Sequence, residues 1–204
     1  MNNTLIRLAA YSFGAATLFG MGITGYAATA PGSSDTAYTA LKSACAGMGK
    51  DAPGRIIEIS GMSGRPQPGS WKVVFEDANK KGAQEVEVQK GRVVGKKAPA
   101  IQVKGTRMNM ALLQLDSDGA FTVAENEAIR AGISYDRLNY TLTASNQTGL
   151  PMWTIELFDG PLTRVGTVKV AGDNGLVLER SKELAKSDEA VSYTHLRAHE
   201  TRED

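Results

Sequence analysis

The sequence predicts an α+β protein of two tandem modules, each one helix packed on a three- to four-stranded antiparallel β-meander. Three observations carry that expectation. Segments recur 82 residues apart, each recurrence is preceded by an apolar stripe of helical period, and each continues into short alternating strands split by turn residues.

The first module spans residues 28–95. Ala37, Leu41, Ala44, Cys45 and Met48 fall on one helical face, and Ser34 or Asp35 can cap its start. Strands follow at Arg55–Ser60, Trp71–Phe75, Val86–Val88 and Gly91–Val94. In the second of these Trp71, Val73 and Phe75 point one way, with Lys72 and Val74 the other, as in a half-buried antiparallel strand. The turn-rich stretch Gly64–Gly69 joins the first two strands.

Residues 96–106 are polar, are broken by Pro99 and read as a linker. The second module then spans residues 107–180. Met108–Leu115 is a candidate leading strand. Thr122 and Glu125 have capping-box spacing, and Ala124, Ala128, Ile129 and Ile133 make a buried helix face. Strands at Arg137–Leu142, Trp153–Leu157, Val168–Val170 and Gly175–Leu178 repeat the first set, and Asn146–Pro151 is the matching hairpin loop. Asn174-Gly175 is the dipeptide that a tight hairpin favours, because positive φ is cheap there. Residues 181–190 form a charged tail.

The two ends read differently. Residues 1–27 have the form of a signal peptide: Arg7, an apolar run from Leu8 to about Gly25, then Gly25-Tyr26-Ala27 as a small-x-small cleavage site. The mature chain is expected to start at Ala28, since a cut after Ala30 leaves Pro31 next to the scissile bond. The glycine-broken apolar run is short for a membrane span. At the other end, residues 191–201 resemble the conceptual translation of an adapter used in sequencing-library preparation, so 191–204 is set aside from fold reasoning. The natural chain is expected to end near Ala190 or to continue beyond it.

A helix, a hairpin, a Trp-x-Val/Ile strand and a closing Gly-x-Val-Leu strand resemble the PepSY-type domains of bacteria, small extracytoplasmic α+β modules grouped with β-lactamase-inhibitor-like folds. Leu115–Ala124 is similar to the lead-in of that family's helix, and the likeness covers roughly 34–94 and 115–178. It implies a periplasmic or secreted protein that binds or restrains a secreted peptidase. It implies no catalytic residues.

The chemistry of the residues points the same way. Both histidines, His195 and His199, lie in the adapter-like stretch, which removes ordinary Ser-His, Cys-His and histidine-metal sites from the rest of the chain. Gly61–Gly64 superficially suggests a nucleophile turn, but Ser63 lacks the surrounding motif and a base. Cys45, the single cysteine, lies on the apolar stripe and reads as a small core residue. Asp116 and Asp118 lack the further ligands of a calcium loop and read as a turn. No cofactor and no metal are expected.

Trp71 and Trp153 have two readings, as anchors of the cores or as exposed anchors for a partner. Lys90, Arg92, Lys96, Lys97, Lys104 and Arg107 form a basic run with no acid from 88 to 115. It is a solvated linker or a contact for an anionic polymer. The net charge of +1 offers no global field for nucleic acid, and no aromatic platform is interleaved with the basic run. The expectation is a non-enzymatic module that engages an extracytoplasmic protein. The alternative is a structural envelope protein that binds anionic cell-wall polymer through 90–107.

Overall fold

The structure, a computed structural model, describes residues 35–77, 82–100, 105–145 and 148–185. The signal-like segment, Ser34, Lys104 and the adapter-like stretch lie outside the described residues.

The expectation of two α+β modules is overturned. The described chain is mostly β, and its eight strands form one antiparallel sheet. They are β1 (Ile56–Gly64), β2 (Trp71–Glu76), β3 (Ala83–Gln89), β4 (Arg92–Lys97), β5 (Arg137–Ala144), β6 (Pro151–Asp159), β7 (Thr163–Ala171) and β8 (Val177–Arg180). Their order across the sheet is β4-β3-β2-β1-β5-β6-β7-β8. The step that joins them is β1 against β5, with Glu58, Ile59, Ser60 and Gly61 opposite Thr143, Leu142, Thr141 and Tyr140. A separate meander would leave β1 as an edge with unsatisfied backbone groups. Pairing it with β5 removes two edges at once.

Two helices, α1 (Ala37–Ala46) and α2 (Ser117–Ala131), cover one face of this sheet. Their buried residues belong to the same cluster as Ile59, Trp71, Val86, Leu142, Trp153 and Val168, so a single core runs under both. Alternation is cleanest in β5 and β6. Leu138, Tyr140 and Leu142, then Trp153, Ile155 and Leu157, are buried, and the residues between them are half-buried on the other face. In β2, Val74 departs from the simple pattern, being buried on the face away from Trp71.

Both helix starts differ from the expectation. Thr36, not Ser34 or Asp35, is the N-cap of α1. The N-cap of α2 is Asp116, whose carboxylate accepts from Ser117 N at 2.7 Å. The stretch Asp116–Gly119 read as a turn is therefore the first turn of a helix. Thr122 lies inside it and donates back to the Asp118 carbonyl at 3.0 Å, so there is no capping box at 122–125. Gly119 packs closely on Leu115, since a Cβ there would stand 2.5 Å from Leu115 Cδ1 and the leucine would have to shift. The face of α2 that meets the sheet carries Ala120, Ala124 and Ala128, small residues that let the helix lie close, together with the buried, ion-paired Glu127. Ile129 falls outside that stripe and is 71% exposed.

The other connections are packed as well. Met108 N donates to Ile56 O at 2.8 Å, and its side chain is buried. The expected leading strand at Met108–Leu115 is instead an irregular segment with one 3₁₀ turn at Met110–Leu112. Beyond β8, Leu184 returns to the core over Gly166, within the stretch read as a charged tail.

Candidate functional site

At the centre of the helix-covered face three rings meet. Trp71 lies 5.8 Å from Tyr140 and 6.5 Å from Trp153, and Tyr140 lies 6.4 Å from Trp153, all tilted or edge-on. Such geometry adds about 0.5–1.5 kcal/mol per pair beyond area burial. Each polar handle is satisfied by backbone. Trp71 Nε1 donates to Asp35 O, Trp153 Nε1 donates to Leu115 O at 2.9 Å, and the Tyr140 hydroxyl donates to Pro66 O at 2.7 Å. Burial pushes the Tyr140 hydroxyl far up, with lesser contributions from Tyr135 and Glu125. Gly61 lets the 65–70 loop press on the cluster, for a Cβ there would meet Pro68 Cγ at 2.5 Å.

Above the rings the two helix N-termini converge. Asp116 Oδ1 accepts from Tyr38 N at 3.0 Å as well as from Ser117 N. Ser117 Oγ, fully buried, accepts from Ala37 N at 3.0 Å and donates to Gln67 Oε1 at 2.8 Å. The free N–H groups of both helices thus find partners in one lead-in segment. Asp116, weighed above as a calcium ligand, is a shared cap. Among the described residues no group of three or more His, Cys, Asp or Glu stands close enough to hold a metal ion.

The remaining sequence candidates fall into place singly. Both tryptophans are fully buried, so neither is presented to a partner. Ser63 is exposed at the end of β1 with a φ of 56°, and its N–H donates to Asn139 Oδ1 at 2.9 Å. Cys45 packs half-buried against the core, where desolvation raises its thiol pKa and Arg55 partly opposes the rise.

The basic run does not form one patch. Lys96 Nζ donates to Gly47 O at the C-terminus of α1, 2.7 Å away, where a cation is favoured by about 0.3–1 kcal/mol. Lys97 and Lys72 lie 3.5 and 3.9 Å from the buried Glu85 Oε1, an ionic contact with no hydrogen bond. Arg107 is paired with Glu76. Lys90 and Arg92 line an open depression of about 490 Å³ with Gln89 and Val94.

The other face of the sheet carries neither helix. One row of opposed residues crosses it from β3 to β8: Glu87, Lys72, Ser60, Thr141, Thr154, Lys169 and Glu179. At about 4.8 Å per strand the row is about 29 Å long. Hydroxyls occupy its middle, lysines flank them and glutamates close both ends. Thr143 sits beside Met152 and Glu58 in the next row. In the sequence, alternation set Lys72 opposite the Trp71 side of its strand, and nothing there brought the residues of this row onto one surface. Their alternation was legible, but the β1–β5 pairing that aligns them was not.

No family model matches the chain, and no curated protein matches it. A solved structure, that of a putative lipoprotein from Clostridium difficile 630, is similar at a TM-score of 0.43 and 12% identity, covering 64% of this chain and 82% of that one. No helix among the described residues is long and apolar enough to cross a membrane.

Proposed function

We propose that the chain is an exported, non-enzymatic binding protein that meets an extracytoplasmic protein through the helix-free face of its sheet. The observation that carries this reading is the Ser60–Thr141–Thr154 row with Lys72 and Lys169 on its flanks. It offers donors and acceptors on a rigid platform, with no element among the described residues laid over them. A sheet held from behind by one core keeps those groups in place before contact, which lowers the ordering cost of association. Export rests on the signal-like form of residues 1–27. Restraint of a secreted peptidase is the narrower form of the proposal and rests on the PepSY resemblance alone.

The alternative, an anionic polymer held by residues 90–107, is weakened by the internal use of Lys96, Lys97 and Arg107. The test compares proteins retained from envelope and secreted extracts by the wild type, by Thr141→Arg/Thr154→Arg, and by Ile129→Arg on the exposed side of α2. Proteins lost with the face variant and kept with the helix variant support the reading. Identical retention by all three sinks it.

A further inference from the structure

The sheet ends at β4 on one side and β8 on the other, and among the described residues neither has a strand beyond it. Such an edge presents free N–H and C=O groups and is a template for any extended chain. Both edges here carry the same interruption. In β4, Val93 opposes Val88 and Gly95 opposes Glu87, so Val94 is an extra residue, 55% exposed. In β8, Val177 opposes Val170 and Glu179 opposes Lys169, so Leu178 is extra, 53% exposed. An extra residue bends a strand and disrupts the hydrogen-bond ladder around it.

The strands are short, so one bulge suffices. In β4 it leaves two residues before Val94 and three after, and in β8 one before Leu178 and two after. Arg92, Lys96 and Lys97 add charge along β4, a second means of discouraging an incoming strand. β8 is also fastened from behind, since Arg180 pairs with the buried Glu127 of α2. Val94 and Leu178 stand seven strand intervals apart, about 34 Å, too far to form one apolar contact site.

We propose that the Val94 and Leu178 bulges are guards that close both ends of the sheet to strand addition, above all by a second copy of this chain. The proposal holds whether or not the outer face binds a partner. Each edge left regular would pair with another copy, and two regular edges per molecule would propagate without closure.

The test removes the extra residues and nothing else. Deleting Val94 makes Val93 and Gly95 consecutive opposite Val88 and Glu87, and deleting Leu178 does the same for Val177 and Glu179. The flanking register is preserved. Sedimentation velocity across a concentration series, with far-UV circular dichroism as the folding control, reads the outcome. The wild type is expected to sediment as a monomer throughout, each single deletion to stop at dimers, and the double deletion to grow with concentration. A folded double deletion that stays monomeric overturns the proposal, as does a wild type that self-associates with β4 and β8 amides protected. If the double deletion does not fold, wild type mixed with a synthetic Ala83–Gln89 peptide decides the matter by hydrogen exchange. Unchanged β4 exchange supports the guard, and slowed β4 exchange refutes it.

Discussion

Replacing Trp71 by alanine separates one sheet from two modules. The ring is fully buried between Tyr140 and Trp153, and its Nε1 holds the Asp35 carbonyl at the start of α1. Truncating a buried tryptophan costs about 3–5 kcal/mol, against a total stability of about 5–15 kcal/mol. At about 2–4 °C per kcal/mol for a domain of this length, the midpoint should fall by roughly 6–20 °C. Two of the three contacting rings belong to β5 and β6, so the loss should reach the second half of the chain. Trp153 is then the only tryptophan left, and its fluorescence reports that half alone. Thermal unfolding followed by Trp153 emission and by far-UV circular dichroism should give one coincident, shifted transition. An early transition by circular dichroism with Trp153 emission holding to the wild-type temperature would refute the single cooperative sheet.

Two further outcomes follow from the geometry. Leu184→Ala should cost about 2–5 kcal/mol, because its side chain closes the core over Gly166. A Cβ at 166 would stand 3.1 Å from Leu184 Cδ1, so Gly166→Ala should destabilise alone yet cost less in the Leu184→Ala background; additivity in a urea double-mutant cycle would contradict the contact. Burial pushes Tyr135 up to about 12, with the Glu125 carboxylate adding to the shift. An unfolded tyrosine ionises near 10. The unfolded chain therefore loses its proton first, and stability present below about pH 10 is lost as pH rises toward 12. Tyr135→Phe should move the alkaline unfolding midpoint upward, and an unmoved midpoint would contradict the assignment.

Local pattern was legible in the sequence. The Trp71-Val73-Phe75 and Trp153-Ile155-Leu157 alternations and the Ala37-Leu41-Ala44 stripe depend only on neighbours a few residues away. The β1–β5 pairing was not, because alternation reads the same in a central strand as in an edge strand. One signal was available. β4 carries Arg92, Lys96 and Lys97, whereas β1 reads Ile-Ile-Glu-Ile-Ser and has no edge charge beyond Glu58. A long strand without such charge is poorly suited to an edge and needs a neighbour on both sides. The start of α2 was missed because Gly119 reads as a turn residue, while its role is to admit Leu115. Ile129 was misplaced because a helix resting on alanines can turn a larger apolar residue outward.

The β1–β5 seam also sets a clock on the making of the chain. Ile59 cannot meet Leu142 until synthesis has passed residue 144, 80 residues after the end of β1 at Gly64. At about 5–20 residues per second that interval is about 4–16 s. Throughout it the inner edge of β1 stands open, and neither the Val94 bulge nor the charges of β4 protect it. The form of this protein most exposed to misassembly is thus a half-made one, and a holdase that occupies the Ile56–Gly64 edge would matter most before β5 emerges.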